Sequence, residues 1–211
     1  MRLTSATGRV LTTGVMAAAL FAGSAVAVAA PVGTGAGHAA ASQGSYARLH
    51  PLAELSARRL ATADLVAAAK YGTGSPIDDA AREKQVLDAV ARAAREAGGD
   101  PEATVRIFRD QIEANKVVQR ELFRRWDADP SKVPQAPQAP QERPDLAEVR
   151  EEINRTNTDL VRGIAASAGA RTAPSCGGVL TAATAHVRHT DRLDALHALA
   201  LGRALRSVCA P

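Results

Sequence analysis

Polar side chains interrupt three apolar helical stripes of the sequence, at positions where a helix faces its neighbours. The most regular stripe comprises Val105, Phe108, Ile112, Asn115, Gln119, Leu122 and Trp126. Its two amides are four residues apart and therefore share one helix face. Arg59 and Lys70 interrupt an earlier stripe, and their spacing of 11 residues returns to within ~20° of the same direction. A third stripe carries Asp79 and Arg82.

The inward-facing charges are strongly unbalanced, because two arginines and a lysine face only Asp79. Buried charge is unfavourable unless it is paired, so a small, compact dianion between the helices would balance the surplus. The alternative is a set of internal salt bridges, or side chains that reach water from the edge of the core. No Ser or Cys has a placed His or Asp partner, so nothing in the pattern indicates hydrolase chemistry.

Three histidines near the C-terminus are the other candidates for chemistry. His186 and His189 are three residues apart on one predicted helix, and His197 follows on the next. A metal site needs a third or fourth ligand that the sequence does not indicate. We therefore predict no metal site and expect all three histidines at the surface.

Helical patterns run from residue 49 to residue 209, and no alternating strand pattern competes with them. The 47 alanines and the aromatic content of 3% also favour helices over sheets. The sequence predicts an all-α single domain of about six helices, the third being the longest and central. Their expected ranges are 49–71, 79–97, 101–128, 145–168, 175–189 and 191–208, with caps at Asp79 (or Asp78), Asp100 and Asp145.

The first thirty residues have the pattern of a secretory signal peptide. Arg2 and Arg9 precede an apolar run, and small residues follow with the A-x-A cleavage pattern. The alternative, a membrane anchor, is disfavoured by Gly23 and Ser24. We expect residues 31–45 to be a disordered tail and residues 46–211 the folded domain, with a Pro-rich linker at 130–144. No basic face with interleaved aromatics is present, so we expect no nucleic-acid partner, and no membrane contact after cleavage.

The chain has two cysteines, Cys176 and Cys209, which lie 33 residues apart. An even count in an exported chain indicates a structural disulfide. A free thiol or an intermolecular pair is the alternative. Neither cysteine has the C-x-x-C spacing of a redox or zinc site.

Four parts of the sequence together resemble the all-helical chorismate mutases, which have the AroQ-like helical fold. They are Arg59, Lys70, the run 77–83 (IDDAARE) and the run 110–119 (DQIEANKVVQ). The signal peptide, the Pro-rich linker and the C-terminal cysteine pair are similar to the exported, gamma-type subclass found in mycobacteria. The resemblance covers residues 49–209, nearly all of the expected mature chain.

The resemblance implies an isomerase that converts chorismate to prephenate outside the cytoplasm. This rearrangement is a unimolecular pericyclic step that needs no nucleophile, metal or cofactor. By resemblance, Lys70 and Gln119 hydrogen-bond the ether oxygen of chorismate, while Arg59 and Arg82 hold its carboxylates. Three further side chains have supporting roles by resemblance: Asn115 for a carboxylate, Asp79 for the cations and Glu83 for the ring hydroxyl.

The sequence departs from the exported relatives at two places. They use a further Arg after the linker, at a position that falls here on Asp159. Arg155, one turn earlier, is the preferred replacement, and Arg162 is the other candidate. The exported relatives also carry Glu where this chain has Gln119, which donates a hydrogen bond at any pH.

A competing hypothesis is a non-catalytic exported helical module that binds an anionic metabolite or a protein partner. Such a module would keep Arg59 and Arg82 to bind an anion. It would not need Lys70 and Gln119 to be directed at the same point of the ligand. The linker lets the fourth helix fold back beside the third, so we expect the site to lie within one chain. The sequence leaves open whether the protein is a monomer or a homodimer.

Overall fold

The computed structural model describes residues 34–133 and 144–209, which form one compact unit. Within these ranges the chain forms seven α-helices, a 3₁₀ turn at Pro130–Lys132, and no strand. The α-helices are α1 (Thr34–Lys70), α2 (Ala80–Glu96), α3 (Pro101–Ala128), α4 (Leu146–Ala166), α5 (Ala168–Arg171), α6 (Cys176–Thr190) and α7 (Ala195–Ala204). The all-α prediction is confirmed. The predicted signal peptide and linker residues 134–143 lie outside the described residues.

Three helices begin at the aspartates that the sequence predicted as N-caps. Asp79 accepts from the Arg82 amide at 2.9 Å, Asp100 from Glu102 at 2.8 Å, and Asp145 from Ala147 at 2.6 Å. Each carboxylate satisfies an N–H that has no partner inside the helix, and each lies at the positive end of the helix dipole. These caps fix where α2, α3 and α4 start, and the cleft described below lies among these helices.

Helix α1 differs from the prediction, because it begins at Thr34 and includes most of the segment expected to be a disordered tail. It is also the longest helix among the described residues, with 37 residues against 28 for α3, so the expectation for the third helix was wrong. Tyr46, which lies before the predicted start of the helix, packs against the hydrophobic core. Tyr46 stacks on His50 at 5.2 Å, and His50 meets His186 of α6 edge-on at 5.1 Å. The alanine-rich sequence is also intrinsically favourable to helix.

Helix α1 is the central element, since it packs against α3, α4, α6 and α7. The fully buried side chains between these helices include Leu52, Phe108, Leu160 and Leu201, one from each of α1, α3, α4 and α7. Helix α2 packs against two of the same helices, α3 and α4. Four helices, α1 to α4, are thereby held around one space. None of the helices in the described ranges is long and apolar enough to cross a membrane.

The predicted disulfide is confirmed. Cys176, the first residue of α6, is bonded to Cys209, which follows α7. The bond closes the α6–α7 hairpin against α1 and α3, the two helices that this hairpin contacts.

Among the described residues, no group of three or more His, Cys, Asp or Glu side chains is placed to hold a metal ion. His197 lies 3.3 Å from Asp64 of α1 and 2.9 Å from Asp194. Its contacts with these two carboxylates, of which Asp64 has the larger effect, raise the pKa of His197 to about 9. His197 is only partly exposed, contrary to the expectation for a surface residue, and it helps to attach α7 to α1.

We expect replacement of both cysteines by serine to destabilise the protein without changing its fold. The disulfide closes a loop of 33 residues, which lowers the conformational entropy of the unfolded chain and so stabilises the folded protein by about 4 kcal/mol in the chain-entropy model. Thermal unfolding followed by circular dichroism should show a lower midpoint for Cys176→Ser/Cys209→Ser, and chemical reduction of the unmodified protein is the matched control. An unchanged midpoint in both samples would contradict a stabilising bridge.

Candidate active site

A cleft of about 650 Å³, part of it open to solvent, lies between α1, α2, α3 and α4. Seven of the eight side chains predicted to bind or transform a substrate line it: Arg59, Lys70, Asp79, Arg82, Glu83, Asn115 and Gln119. They come from three helices and the loop before α2, as the interrupted stripes indicated.

Arg59 is the most deeply buried cation of the cleft, with 5% of its surface exposed. Its Nε donates to Asn157 Oδ1 of α4 at 2.8 Å, and Nη1 donates to the backbone carbonyl of Gln111 in α3 at 3.1 Å. The guanidinium also lies 5.9 Å from the centre of the Phe108 ring. Among the described residues no carboxylate lies within salt-bridge distance of it, and burial lowers its pKa to about 10. Neutral acceptors thus fix the orientation of this cation and leave its charge unpaired.

Lys70 is the last residue of α1, and 9% of its surface is exposed. Its Nζ donates to the carbonyl of Pro76 at 2.8 Å, in the loop between α1 and α2. Burial lowers the pKa of Lys70 below its usual value, and Asp79 partly opposes this effect. The ammonium group is therefore a desolvated donor at one end of the cleft.

The start of α2 contributes both signs of charge to the cleft. Asp79 caps the helix and lies near Lys70. Arg82 lies one turn later, and its Nη1 donates to Gln85 Oε1 at 3.3 Å. The cap fixes the first turn of α2, and Arg82 is therefore held at the edge of the cleft.

Lys116 also lines the cleft, and the sequence analysis did not identify it. Its side chain is 9% exposed and lies 3.1 Å from both Glu83 and Asp78, with a third carboxylate, Glu113, also in contact. These carboxylates raise the pKa of Lys116 well above its usual value. Arg120 also binds Asp78, at 2.7 Å. Lys116 lies beside the α3 seam rather than on it, so a search restricted to the stripe did not include it.

The two amides of α3 are paired in the wall of the cleft. Asn115 is 8% exposed and Gln119 is 4% exposed. The Nε2 group of Gln119 donates to Oδ1 of Asn115 at 2.6 Å. The prediction that both amides face inward is confirmed by their burial and by their position in the cleft.

The structure does not bring Arg155 to the cleft. The prediction that Arg155 takes the place of the arginine expected at Asp159 was therefore wrong about its position. Arg155 and Asp159 are exposed on α4, and Arg162 pairs with Asp159 at 3.6 Å on the same outer surface. Arg150 lines the cleft instead, together with Leu146 and Ile153. An angle of ~100° per residue puts Arg155 about 140° around the helix from Arg150. Continuing the stripe analysis along α4 would have identified Arg150, because it shares a face with Leu146 and Ile153.

The charges of the lining show what the cleft can bind. Among the described residues, five cationic side chains (Arg59, Lys70, Arg82, Lys116 and Arg150) and two carboxylates, Asp79 and Glu83, line it. Lys116 is paired with three carboxylates, so the cations without a salt bridge are the other four. Buried cations with too few partners favour an anionic ligand, and planar guanidinium groups match carboxylates in a bidentate manner. The arrangement suits a compact dianion that also presents a neutral hydrogen-bond acceptor to Lys70.

Comparison with known proteins gives consistent matches. The sequence model of the family described as "Chorismate mutase type II" matches residues 51–120. The secreted chorismate mutase of Mycolicibacterium smegmatis is 37% identical over 184 residues, which cover 87% of this chain and 97% of that protein. The secreted chorismate mutase of Mycobacterium tuberculosis is 33% identical over 162 residues, covering 77% of this chain and 78% of that protein.

A solved structure agrees with the sequence relatives. The crystal structure of chorismate mutase from Burkholderia phymatum matches with a TM-score of 0.72 and 33% identity, and covers 79% of this chain and 99% of that one. Export, expected from the first thirty residues, is confirmed by the two secreted mycobacterial relatives. The identity to these relatives, their coverage and the shared helical fold show that the chain belongs to the chorismate mutase family, among its secreted members.

Proposed function

We propose that the cleft between α1 and α4 is the active site in which this protein isomerises chorismate to prephenate. The buried Arg59 guanidinium carries the proposal, since it is oriented by neutral acceptors and has no carboxylate partner among the described residues. A buried, unpaired cation is unfavourable in the free protein and becomes favourable when an anionic ligand binds. The surplus of cations in the rest of the lining supports the same conclusion.

The reaction suits a site that offers only positioning and electrostatics. In chorismate the ether C–O bond breaks while a C–C bond forms between the enolpyruvyl methylene and the ring, so all atoms are retained. Negative charge develops on the ether oxygen as the C–O bond lengthens. Holding the compact diaxial conformer reduces the entropic barrier, and donors aimed at the ether oxygen stabilise the transition state.

Each residue has a role that its position supports. Arg59, Arg82 and Arg150 hold the two carboxylates, because guanidinium groups bind carboxylates in a bidentate manner. Lys70 and Gln119 donate to the ether oxygen from opposite helices, α1 and α3.

Glu83 accepts from the ring hydroxyl of the substrate, and Lys116 orients Glu83 through their contact at 3.1 Å. Asp79 fixes the start of α2 and lies near Lys70. Asn115, expected from the resemblance to support a carboxylate, lies beside Gln119.

The direct test is an assay with added chorismate, which follows the loss of its absorbance and the appearance of prephenate. We expect the unmodified protein to convert chorismate and Lys70→Ala to lose about 10²- to 10³-fold in kcat, the usual effect of removing one oxyanion donor. Binding of chorismate without conversion would favour the competing binding module.

Arg150 and Arg155 form a matched pair on one helix for testing which arginine binds a carboxylate. We expect Arg150→Ala to lower kcat/KM by at least 30-fold, because a charge-assisted contact within the cleft is worth roughly 2 kcal/mol or more. The exposed Arg155→Ala should stay within about twofold of the unmodified protein, since surface substitutions have small effects. Steady-state kinetics with chorismate measures both, and an equal effect of the two substitutions would contradict the placement.

The pH dependence tests Gln119 and Lys70 together. Gln119 does not titrate, and Lys70 is active only when protonated, so activity is lost as pH rises through the pKa of Lys70. Burial places that pKa below its usual value, as does Arg150, while Asp79, Glu83 and Asp78 raise it. We expect kcat to stay nearly flat from about pH 5 to about pH 9, because the bound dianion also favours the protonated lysine.

Gln119→Glu supplies the contrast for this profile. Its carboxyl must be protonated to donate, so we expect its activity to fall as pH rises, because the ionised form repels the ether oxygen. The rate constant is measured across the same range for both proteins. A flat profile in Gln119→Glu would contradict contact of Gln119 with the ether oxygen. A steep alkaline fall of kcat in the unmodified protein below pH 8 would instead show that the bound substrate does not keep Lys70 protonated.

A site contained in one chain predicts no rescue between two inactive variants. Arg59, Gln119 and Arg150 all reach the cleft from the same chain. When Arg59→Ala and Gln119→Ala chains are unfolded together and refolded as a mixture, we therefore expect the mixture to remain as inactive as each variant alone. Recovered activity would show that two chains share a site.

A further inference from the structure

The amide of Gln119 has an orientation that conflicts with its expected role as a donor. Its Nε2 donates to Oδ1 of Asn115 at 2.6 Å and lies 3.5 Å from the backbone carbonyl oxygen of the same residue. The amide nitrogen is therefore directed to Asn115. Its Oε1 is buried and receives no hydrogen bond from the described part of the protein. Gln119 thus has its amide nitrogen engaged and its acceptor free.

The proposed substrate requires the opposite end of this amide. An ether oxygen can only accept a hydrogen bond, so Gln119 contributes to catalysis only when an N–H points at it. The terminal amide of Gln119 must then turn by about 180°, which directs Oε1 towards Asn115. Two facing carbonyl oxygens repel each other, so the amide of Asn115 must turn as well and donate from its Nδ2.

We propose that Asn115 is a positioning residue that determines which end of the Gln119 amide faces the substrate. The inference rests on the proposed function and adds to it a coupled pair of amides with two arrangements. In one arrangement Asn115 accepts from Gln119, as in the structure. In the other Asn115 donates to Gln119, whose nitrogen is released for the ether oxygen.

Asn is suited to this role because its side chain both donates and accepts without carrying charge. The two residues lie four positions apart on α3 and are almost completely buried, so water has little access to either amide. Substrate favours the donating arrangement because only that arrangement offers it a hydrogen bond. This role differs from direct contact with a carboxylate, which the family resemblance implied for Asn115.

A double-mutant cycle with Gln119 distinguishes the two roles. Asn115→Leu, a neutral side chain of similar size, is made in the unmodified protein and in the Gln119→Leu variant, and kcat and KM for chorismate are measured for all four proteins. If Asn115 acts through Gln119, its replacement matters only while Gln119 is present. We expect Asn115→Leu to lower kcat about tenfold in the unmodified protein and by less than twofold in Gln119→Leu, with KM changed less than threefold.

A second variant keeps the size of the side chain and changes only its hydrogen bonding. Asn115→Asp at pH 7.5 can accept from Gln119 but cannot donate to it, so it retains the arrangement in which Nε2 of Gln119 is bound to residue 115. We expect kcat to fall about 100-fold, close to the loss in Gln119→Leu. The new carboxylate also repels the substrate, and this repulsion persists when Gln119 is replaced by leucine. The effect of Asn115→Asp on kcat is therefore compared in the two backgrounds. The part of the loss that occurs only when Gln119 is present measures the orientation of the Gln119 amide.

Asn115→Thr, whose hydroxyl donates and accepts, should restore most of the activity lost in Asn115→Leu. Equal losses in both backgrounds, or a loss confined to KM, would overturn the proposal and favour direct contact of Asn115 with the substrate. Thermal unfolding of each variant controls for folding. Failure of the proposed function would be seen separately, as no conversion of chorismate by the unmodified protein, whereas an unaffected kcat in Gln119→Leu would overturn the role of Gln119 itself.

Discussion

The buried guanidinium of Arg59 is the interaction on which the rest of the cleft depends. Arg59 projects from the central helix α1 and is held by one acceptor from α3 and one from α4, at 3.1 Å and 2.8 Å. A carboxylate in either place would neutralise the cation and remove its attraction for a ligand. Neutral acceptors instead fix the direction of the guanidinium but stabilise its charge less than a carboxylate would. The free protein therefore retains an unpaired charge that an anion can bind.

Parts of the fold far from the cleft support this placement. Gln111, whose carbonyl accepts from Arg59, donates through its side chain to Ser56 of α1 at 2.8 Å and to the carbonyl of Ala204 in α7 at 3.1 Å. Helix α7 is in turn fixed by the disulfide to Cys176 and by the His197 contacts with α1. The C-terminal hairpin thus contributes no side chain to the cleft lining, yet it contacts the helices that carry Arg59 and Gln111.

The sequence predicted those features that depend on helical periodicity and on local capping. Arg59, Lys70, Asn115 and Gln119 stood out because each replaces an apolar residue in a stripe, and the cleft contains all four. The capping aspartates gave the starts of three helices. It did not predict the extension of α1 towards Thr34. It also did not predict the carboxylate contacts of Lys116, which depend on tertiary structure. Arg150 was not predicted for a different reason, because the apolar stripe of α4, whose face Leu146 and Ile153 share with Arg150, was not compared with those of the other helices.

The central claim is that an oriented, unpaired cation makes the cleft complementary to a dianionic transition state. It is tested most directly by calorimetric titration of the protein and of Arg59→Met with a stable bicyclic dicarboxylate ether that has the shape of the transition state. We predict that the unmodified protein binds this compound with at least a hundredfold lower Kd than Arg59→Met, a difference of about 2.7 kcal/mol, while both proteins unfold cooperatively. Dissociation constants within threefold of each other would contradict the account, because the buried charge would then not contribute to recognition of the ligand.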